Sequence, residues 1–250
     1  MPPSSLASDS NVDTPDGGPT LGHRLLSRNP AFRDCPGAVL DELVCAGQVW
    51  RHERGEVLVR HGDRAGYLGL VVSGLLQTSR LYKSGARQIT CLMVPGDLFN
   101  LIEVVDPGLQ FGEITAKAAS VVLRIPALEV ERLQLRESRL AMAFARHLAV
   151  RLCLVFERSA ASAALPLKAR VAAILNLLVQ LYGLPRENGV VLDIKLSQED
   201  LADLVGMSRQ RLSFALKQLE TEGLIQLGYT SLMISDPARL AALAEAPAKD

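Results

Sequence analysis

Apolar positions along this chain follow two periods, and the switches between them divide it. Residues 1–20 hold Pro, Ser, Asp and Gly with almost nothing apolar, which predicts a flexible tail. From Leu21 to Gly47 the spacing is helical, with Val39, Leu40, Leu43 and Val44 on one side. The runs then shorten. Glu56–Arg60, Tyr67–Ser73, Leu75–Tyr82, Gln88–Val94, Glu113–Lys117 and Ser120–Ile125 are rich in Val, Leu, Ile, Thr and Tyr. Turn residues such as Gly62-Asp63, Gly74, Ser84-Gly85 and Pro95-Gly96-Asp97 separate them. Short strands at regular intervals predict an antiparallel barrel or sandwich, which completes a first domain over residues 21–125.

Pro126 closes this pattern, and residues 126–164 read as helical, with a short helix over Ala127–Leu135 and a long one over Ser138–Ser162. On the long helix Ala141, Ala145, Leu148, Leu152, Val155, Ser159 and Ser162 alternate spacings of four and three. That is the seam of a paired helix, and the small residues permit close approach of a second copy, so a homodimer is expected. A second stripe of Phe144, Leu154 and Phe156 is expected to lie against the barrel. Ala163–Leu167, with Pro166, reads as a hinge into the last domain, residues 165–250. There Lys168–Tyr182 is amphipathic, Gly183–Gly189 reads as a loop, and Pro237–Ala244 as a closing helix.

The chemistry concentrates between Leu196 and Glu222. Ser197 is a good N-cap, and Asp200 stands three residues on, where a carboxylate answers the free N–H groups of a first turn. Leu201, Leu204 and Val205 share one face, Gly206 supplies a turn, and Ser208 caps a second helix. Leu212, Ala215, Leu216 and Leu219 give that helix its own buried stripe. Two short helices about a glycine turn form a helix-turn-helix. The strand pattern of GLIQLGYTSLMI, turning near Gly228-Tyr229, adds a wing. Arg209, Gln210, Arg211, Ser213, Lys217 and Gln218 remain polar on the second helix, whose first two turns carry no acid. Such a helix start suits phosphates and base edges.

Bulk properties narrow the partners. The chain has 250 residues, 48% of them hydrophobic, and no apolar run reaches the roughly 18 residues of a membrane span. No basic region followed by an apolar stretch opens the chain, so no secretory signal is expected and the cytoplasm is the expected location. Formal net charge is zero, so any affinity for nucleic acid has to come from local charge. Cys35, Cys45, Cys91 and Cys153 are scattered, without a C-x-x-C pair, and read as reduced, partly buried thiols. His52 and His61 are not spaced like a metal site, so no metal is expected. No nucleophile–base pair is visible, which argues against an enzyme.

The order of barrel, long helix, hinge and winged helix-turn-helix resembles the CRP/FNR family of bacterial transcription regulators. The likeness is carried by RGEVLVRHGD, LVVSGLLQTSRLYKSGARQITCLMVPGDLF and LSQEDLADLVGMSRQRLSFALKQLETEGLI. It implies an α+β chain: an antiparallel β-roll sensor of the cyclic-nucleotide-binding type, a long dimerisation helix and a DNA-binding winged domain. It also implies a double-stranded DNA operator and RNA polymerase as partners. In nucleotide-binding members a cassette after the Gly-Asp turn presents a Gly-Glu pair and later an Arg-Ser pair. Laid without gaps on Gly96-Asp97, these fall on Asn100-Leu101 and Phe111-Gly112, and the purine-facing pair of the long helix falls on Val155-Phe156. Leu101 accepts no ribose hydroxyl and Phe111 neutralises no phosphate, so cyclic AMP is not expected as the effector. No cofactor is predicted. Haem is left open, with His147, Cys91 and Met93 as axial candidates.

Taken together, the residues predict a homodimer on a near-palindromic operator. Ser208 holds a phosphate, Arg209 pairs with guanine, Gln210 with adenine, Arg211, Ser213 and Lys217 read or position, and Ser197 is counted among the DNA-binding residues. Well-known members read Ser-Arg-Glu and later Arg in this helix; here Gln210 and Phe214 stand in those last two places. The rival expectation is a ligand-sensing adaptor whose winged domain binds a protein.

Overall fold

The computed structural model describes residues 17–81, 87–107, 112–164, 166–192, 197–228 and 231–244. In chain order the elements are α1 (Gly17–Arg28), α2 (Gly37–Cys45), β1 (Gln48–His52), β2 (Val57–Val59), β3 (Tyr67–Ser73), β4 (Leu76–Leu81) and β5 (Arg87–Met93). Next come β6 (Leu98–Phe99), α3 (Leu101–Val105), β7 (Glu113–Ala116), β8 (Ser120–Pro126), α4 (Ala127–Arg136) and α5 (Ser138–Ala164). The chain closes with α6 (Leu167–Tyr182), β9 (Gly183–Arg186), β10 (Gly189–Leu192), α7 (Gln198–Val205), α8 (Arg209–Thr221), β11 (Ile225–Leu227), β12 (Leu232–Ile234) and α9 (Pro237–Ala244). Two compact units divide it, residues 1–145 and 146–250.

The first unit is two facing antiparallel sheets, ordered β1-β8-β3-β6 and β2-β7-β4-β5. Their inner faces meet in Val59, Val71, Leu76, Met93, Phe99, Ile114, Ala116 and Val122, with Trp50, Tyr67 and Cys91 packed against them. Strand alternation turns Leu68, Leu70, Leu123 and Ile125, all fully buried, to the other side of the first sheet, where α1, α2 and α4 lie. Outside, the Glu42 carboxylate on α2 takes a hydrogen bond from Arg132 of α4 at 2.6 Å and pairs with Arg136. Those two guanidinium groups hold its pKa at about 2.

The second unit packs α6 against α8 and α9, with a four-stranded sheet ordered β11-β12-β10-β9. The stretch read as a loop, Gly183–Gly189, is a correction: residues 183–186 form β9, which pairs with β10. Pro185 cannot donate to a ladder, and β9 carries it because that strand is the sheet's edge. Residues 17–20, read as part of the tail, belong to α1, and residues 1–16 lie outside the described residues. No helix among the described residues is long and apolar enough to cross a membrane.

Candidate nucleic-acid interface

The helix-turn-helix is built by local hydrogen bonding that its sequence dictates. The Ser197 hydroxyl accepts from the Asp200 N–H at 3.1 Å and donates to its carboxylate at 2.6 Å, while that carboxylate accepts from the Ser197 N–H at 3.0 Å. This closed capping box commits Ser197 to starting α7. Gly206 ends α7 at φ 73°, the left-handed conformation that glycine adopts without a Cβ penalty. Ser208 then caps α8, its hydroxyl 3.5 Å from the Arg211 N–H. Leu212, Ala215, Leu216 and Leu219 are buried, against α6, α7 and β11.

What that burial leaves outside is the candidate interface. Arg209, Gln210, Arg211 and Lys217 are exposed and Ser213 is half-buried, so the expected base-reading and phosphate-holding side chains share the solvent face of one helix. The first turn of α8 carries no acid. Two acids near its end are turned aside: Glu220 accepts from the Leu227 N–H at 3.0 Å, and Glu222 pairs with Lys168 at 2.5 Å. One further member of this face has no role in the residue pattern. Phe214 is 60% exposed, in the midst of these polar residues.

The barrel cassette is the second candidate site, and its polar positions are occupied by other uses. Asn100 has φ 58°, the one non-glycine in the left-handed region among the described residues. It keeps the backbone turn that a glycine makes there. Leu101, at the ribose-acid position, is 3% exposed and belongs to the core. The nearby Glu103 is buried and accepts from the N–H groups of Ala65 and Gly66 at 2.7 and 3.2 Å, which ties α3 to the β2–β3 turn. At Gly112 (φ +84°) a Cβ would lie 2.8 Å from the Ser79 carbonyl oxygen, so a serine side chain does not fit that position. Phe111 lies outside the described residues.

Within the same barrel a cation is present and already engaged. The Arg124 guanidinium lies 4.2 Å from the Trp50 ring centre and 4.8 Å from that of Tyr67. It stands 3.2 Å from Nε2 of buried His52, whose Nδ1 is 2.7 Å from Glu56. Burial works against the Glu56 carboxylate, but hydrogen bonds from His52 and the Glu53 N–H, with the charges of His52 and Arg124, outweigh it. Its pKa lies below the ordinary value.

On α5 the residues of the expected seam differ in exposure. Ala145, Leu152 and Val155 are exposed, but Ala141 and Leu148 are half-buried, and Met142 and Ala149 are the more exposed neighbours. The open stripe therefore runs through Met142, Ala145, Ala149, Leu152, Val155 and Phe156. Ser159 and Ser162 lie on α5, but their side chains fall outside the described set. The second stripe holds in part: Phe144 is buried edge-on against Phe32 at 5.9 Å and Leu154 is buried, while Phe156 is 61% exposed. His147 is buried. Met93 sits in the barrel core with Cys91 beside it, and Cys45 and Cys153 are exposed thiols rather than partly buried ones. Burial, with the Glu137 charge and against that of Arg139, pushes the Cys35 thiol up. No cluster of three or more His, Cys, Asp or Glu among the described residues has the makings of a metal site.

Comparison with known proteins agrees with this geometry. The cyclic nucleotide-binding domain model matches residues 49–137, and the Crp-like helix-turn-helix domain model matches residues 169–243. A CRP-like cAMP-activated global transcriptional regulator of Mycobacterium tuberculosis is 27% identical over 222 residues, covering 87% of this chain and 97% of that protein. The global nitrogen regulator of Synechococcus elongatus is 23% identical, covering 77% and 88%. The structure of FixK2 from Bradyrhizobium japonicum shares the fold at a TM-score of 0.62 and 22% identity, over 81% of this chain and 99% of that one. With a cyclic nucleotide-binding-type domain ahead of a Crp-like helix-turn-helix, the chain belongs to the CRP/FNR family of transcriptional regulators.

Proposed function

We propose that this regulator binds a near-palindromic DNA operator as a homodimer, without cyclic AMP as its effector. The observation that carries the reading is the solvent face of α8, where Arg209, Gln210, Arg211 and Lys217 stand exposed beside a serine-capped helix start. Cations and amides so placed fit guanine and adenine edges in a major groove, with phosphates at the helix N-terminus. Two copies paired along the exposed apolar stripe of α5 would present two such helices to half-sites about 34 Å apart. RNA polymerase is the partner through which a bound dimer would act, and the cytoplasm is the location this role requires.

The mycobacterial relative is named for activation by cyclic AMP. Three observations among the described residues support excluding that ligand here: Leu101 is core, Gly112 has no room for a serine, and the Arg124 cation is engaged by two rings and His52. No cofactor is needed for this role, so the purified protein is expected to show a featureless visible spectrum; a Soret band would reopen haem. A protein-binding adaptor is the second reading, favoured by exposed Phe214. Retention on random duplex DNA at rising salt separates the two. Phosphate contacts give a steep log–log slope, whereas a protein-docking surface gives no retention to weaken.

A further inference from the structure

Phe214 has no role in the DNA-binding assignments above, yet it stands among the residues that do. The apolar side of α8 is already filled by Leu212, Ala215, Leu216 and Leu219. At about 100° per residue, the side opposite that stripe carries Gln210, Phe214 and Lys217 in one row. A single exposed phenylalanine is unremarkable on a protein surface. Its place here, four residues after Gln210 and three before Lys217, puts it where a groove floor would meet the helix.

We propose that Phe214 is a specificity-determining residue that reads the 5-methyl group of a thymine in each half-site. The inference rests on α8 being the DNA-reading helix and adds a base preference to it. A phenyl ring has neither donor nor acceptor, so it cannot pair with the polar edges of guanine, cytosine or adenine. The thymine methyl is the apolar group that the major groove offers. A cytosine or purine edge beneath the ring would lose water without gaining a partner, so the ring discriminates in both directions. Phe214 lies about 6 Å along the helix from Gln210, roughly two base steps of 3.4 Å. The thymine is therefore placed about two steps from the adenine assigned to Gln210.

The test uses the full-length protein and an operator obtained by selection from random duplexes, with and without cyclic AMP. Each selected thymine is replaced in turn by deoxyuridine, which removes the methyl group and nothing else. At one position per half-site, the wild-type protein is expected to bind about fourfold more weakly, the worth of one buried methyl-sized group. Phe214→Ala should bind thymine and deoxyuridine operators alike at that position. Phe214→Arg should move the selected base there to guanine. Because the deoxyuridine series uses the unaltered chain, it does not depend on how the variants fold. Wild-type binding that ignores deoxyuridine at every thymine, or Phe214→Ala retaining the same loss, overturns the methyl reading while leaving DNA binding intact. Failure to select or retain any duplex overturns the DNA reading of α8 itself.

Discussion

The cassette of the barrel and the recognition helix were both laid out by the same family pattern, and the chain has treated them in opposite ways. In the cassette the polar vocabulary has turned into core: Leu101 is 3% exposed, and Glu103 holds two backbone N–H groups of the β2–β3 turn. On α8 the polar vocabulary stays at the surface, with four long polar side chains exposed over a fully apolar underside. The physics of the two ligands explains why such changes are tolerated at one site and visible at the other. A cyclic phosphate is held only by buried, paired charges, and replacing them with apolar residues of similar volume leaves a stable barrel. DNA is held by exposed cations, whose loss does nothing for stability. The exposed face of α8 keeps its polar side chains, while the described cassette positions Asn100, Leu101 and Gly112 carry no charge for a cyclic phosphate.

The strongest way to break the comparison is to treat Leu101 as a pocket residue. As core, Leu101→Ala should cost about 2–5 kcal/mol in urea or thermal unfolding of the barrel. A loss near zero would mean that it lines an open site. Next, Arg209→Ala should weaken specific binding by about 1–3 kcal/mol and relax one base position, with unfolding unchanged. Unchanged affinity and unchanged site preference in a binding selection would remove Arg209 from the interface. Ser197→Ala should lower the stability of the winged domain by roughly 1 kcal/mol through its lost cap, while the selected operator stays the same. A changed operator would show that Ser197 also contacts the DNA. The smallest effect concerns the outer clamp of α2 on α4. Arg136 and Arg132 depress Glu42, so its contribution is present at neutral pH and lost as pH falls from about 4.5 to about 2. Glu42→Gln should flatten the acid unfolding profile slightly in that window, by an amount that salt reduces because the pair is partly exposed.

The sequence reveals those parts of the molecule whose local pattern agrees with their tertiary use. The capping box at Ser197 and Asp200, the glycine turn at Gly206 and the buried stripe of α8 are local, and all lie where the residues predict them. Strands β3, β4, β5, β7 and β8 likewise follow their alternation and turn residues to within a few positions. What escaped was set from a distance. Residues 48–52 form β1 because β8 pairs with them, directly after a helix and without a turn signal of their own. Strand β6 is only two residues long, too short for any period, and β9 carries a proline that an interior strand would reject. On α5 the seven-residue rhythm is legible, but not the exposure of each position in it. Phe144 packs on Phe32, and Met142 is more open than Ala141. Phe214 was visible as a departure from the family's helix; only its exposure, with the core positions already filled, gives it a face.

The most direct test of the central claim is a titration of a selected operator with the full-length protein over a range of salt, with and without millimolar cyclic AMP. The account predicts a protein dimer on the duplex, a steep fall of affinity with salt, and superimposable curves in the two conditions. Binding that appears only when cyclic AMP is added, or a lone subunit that ignores duplex DNA at low salt, would contradict it.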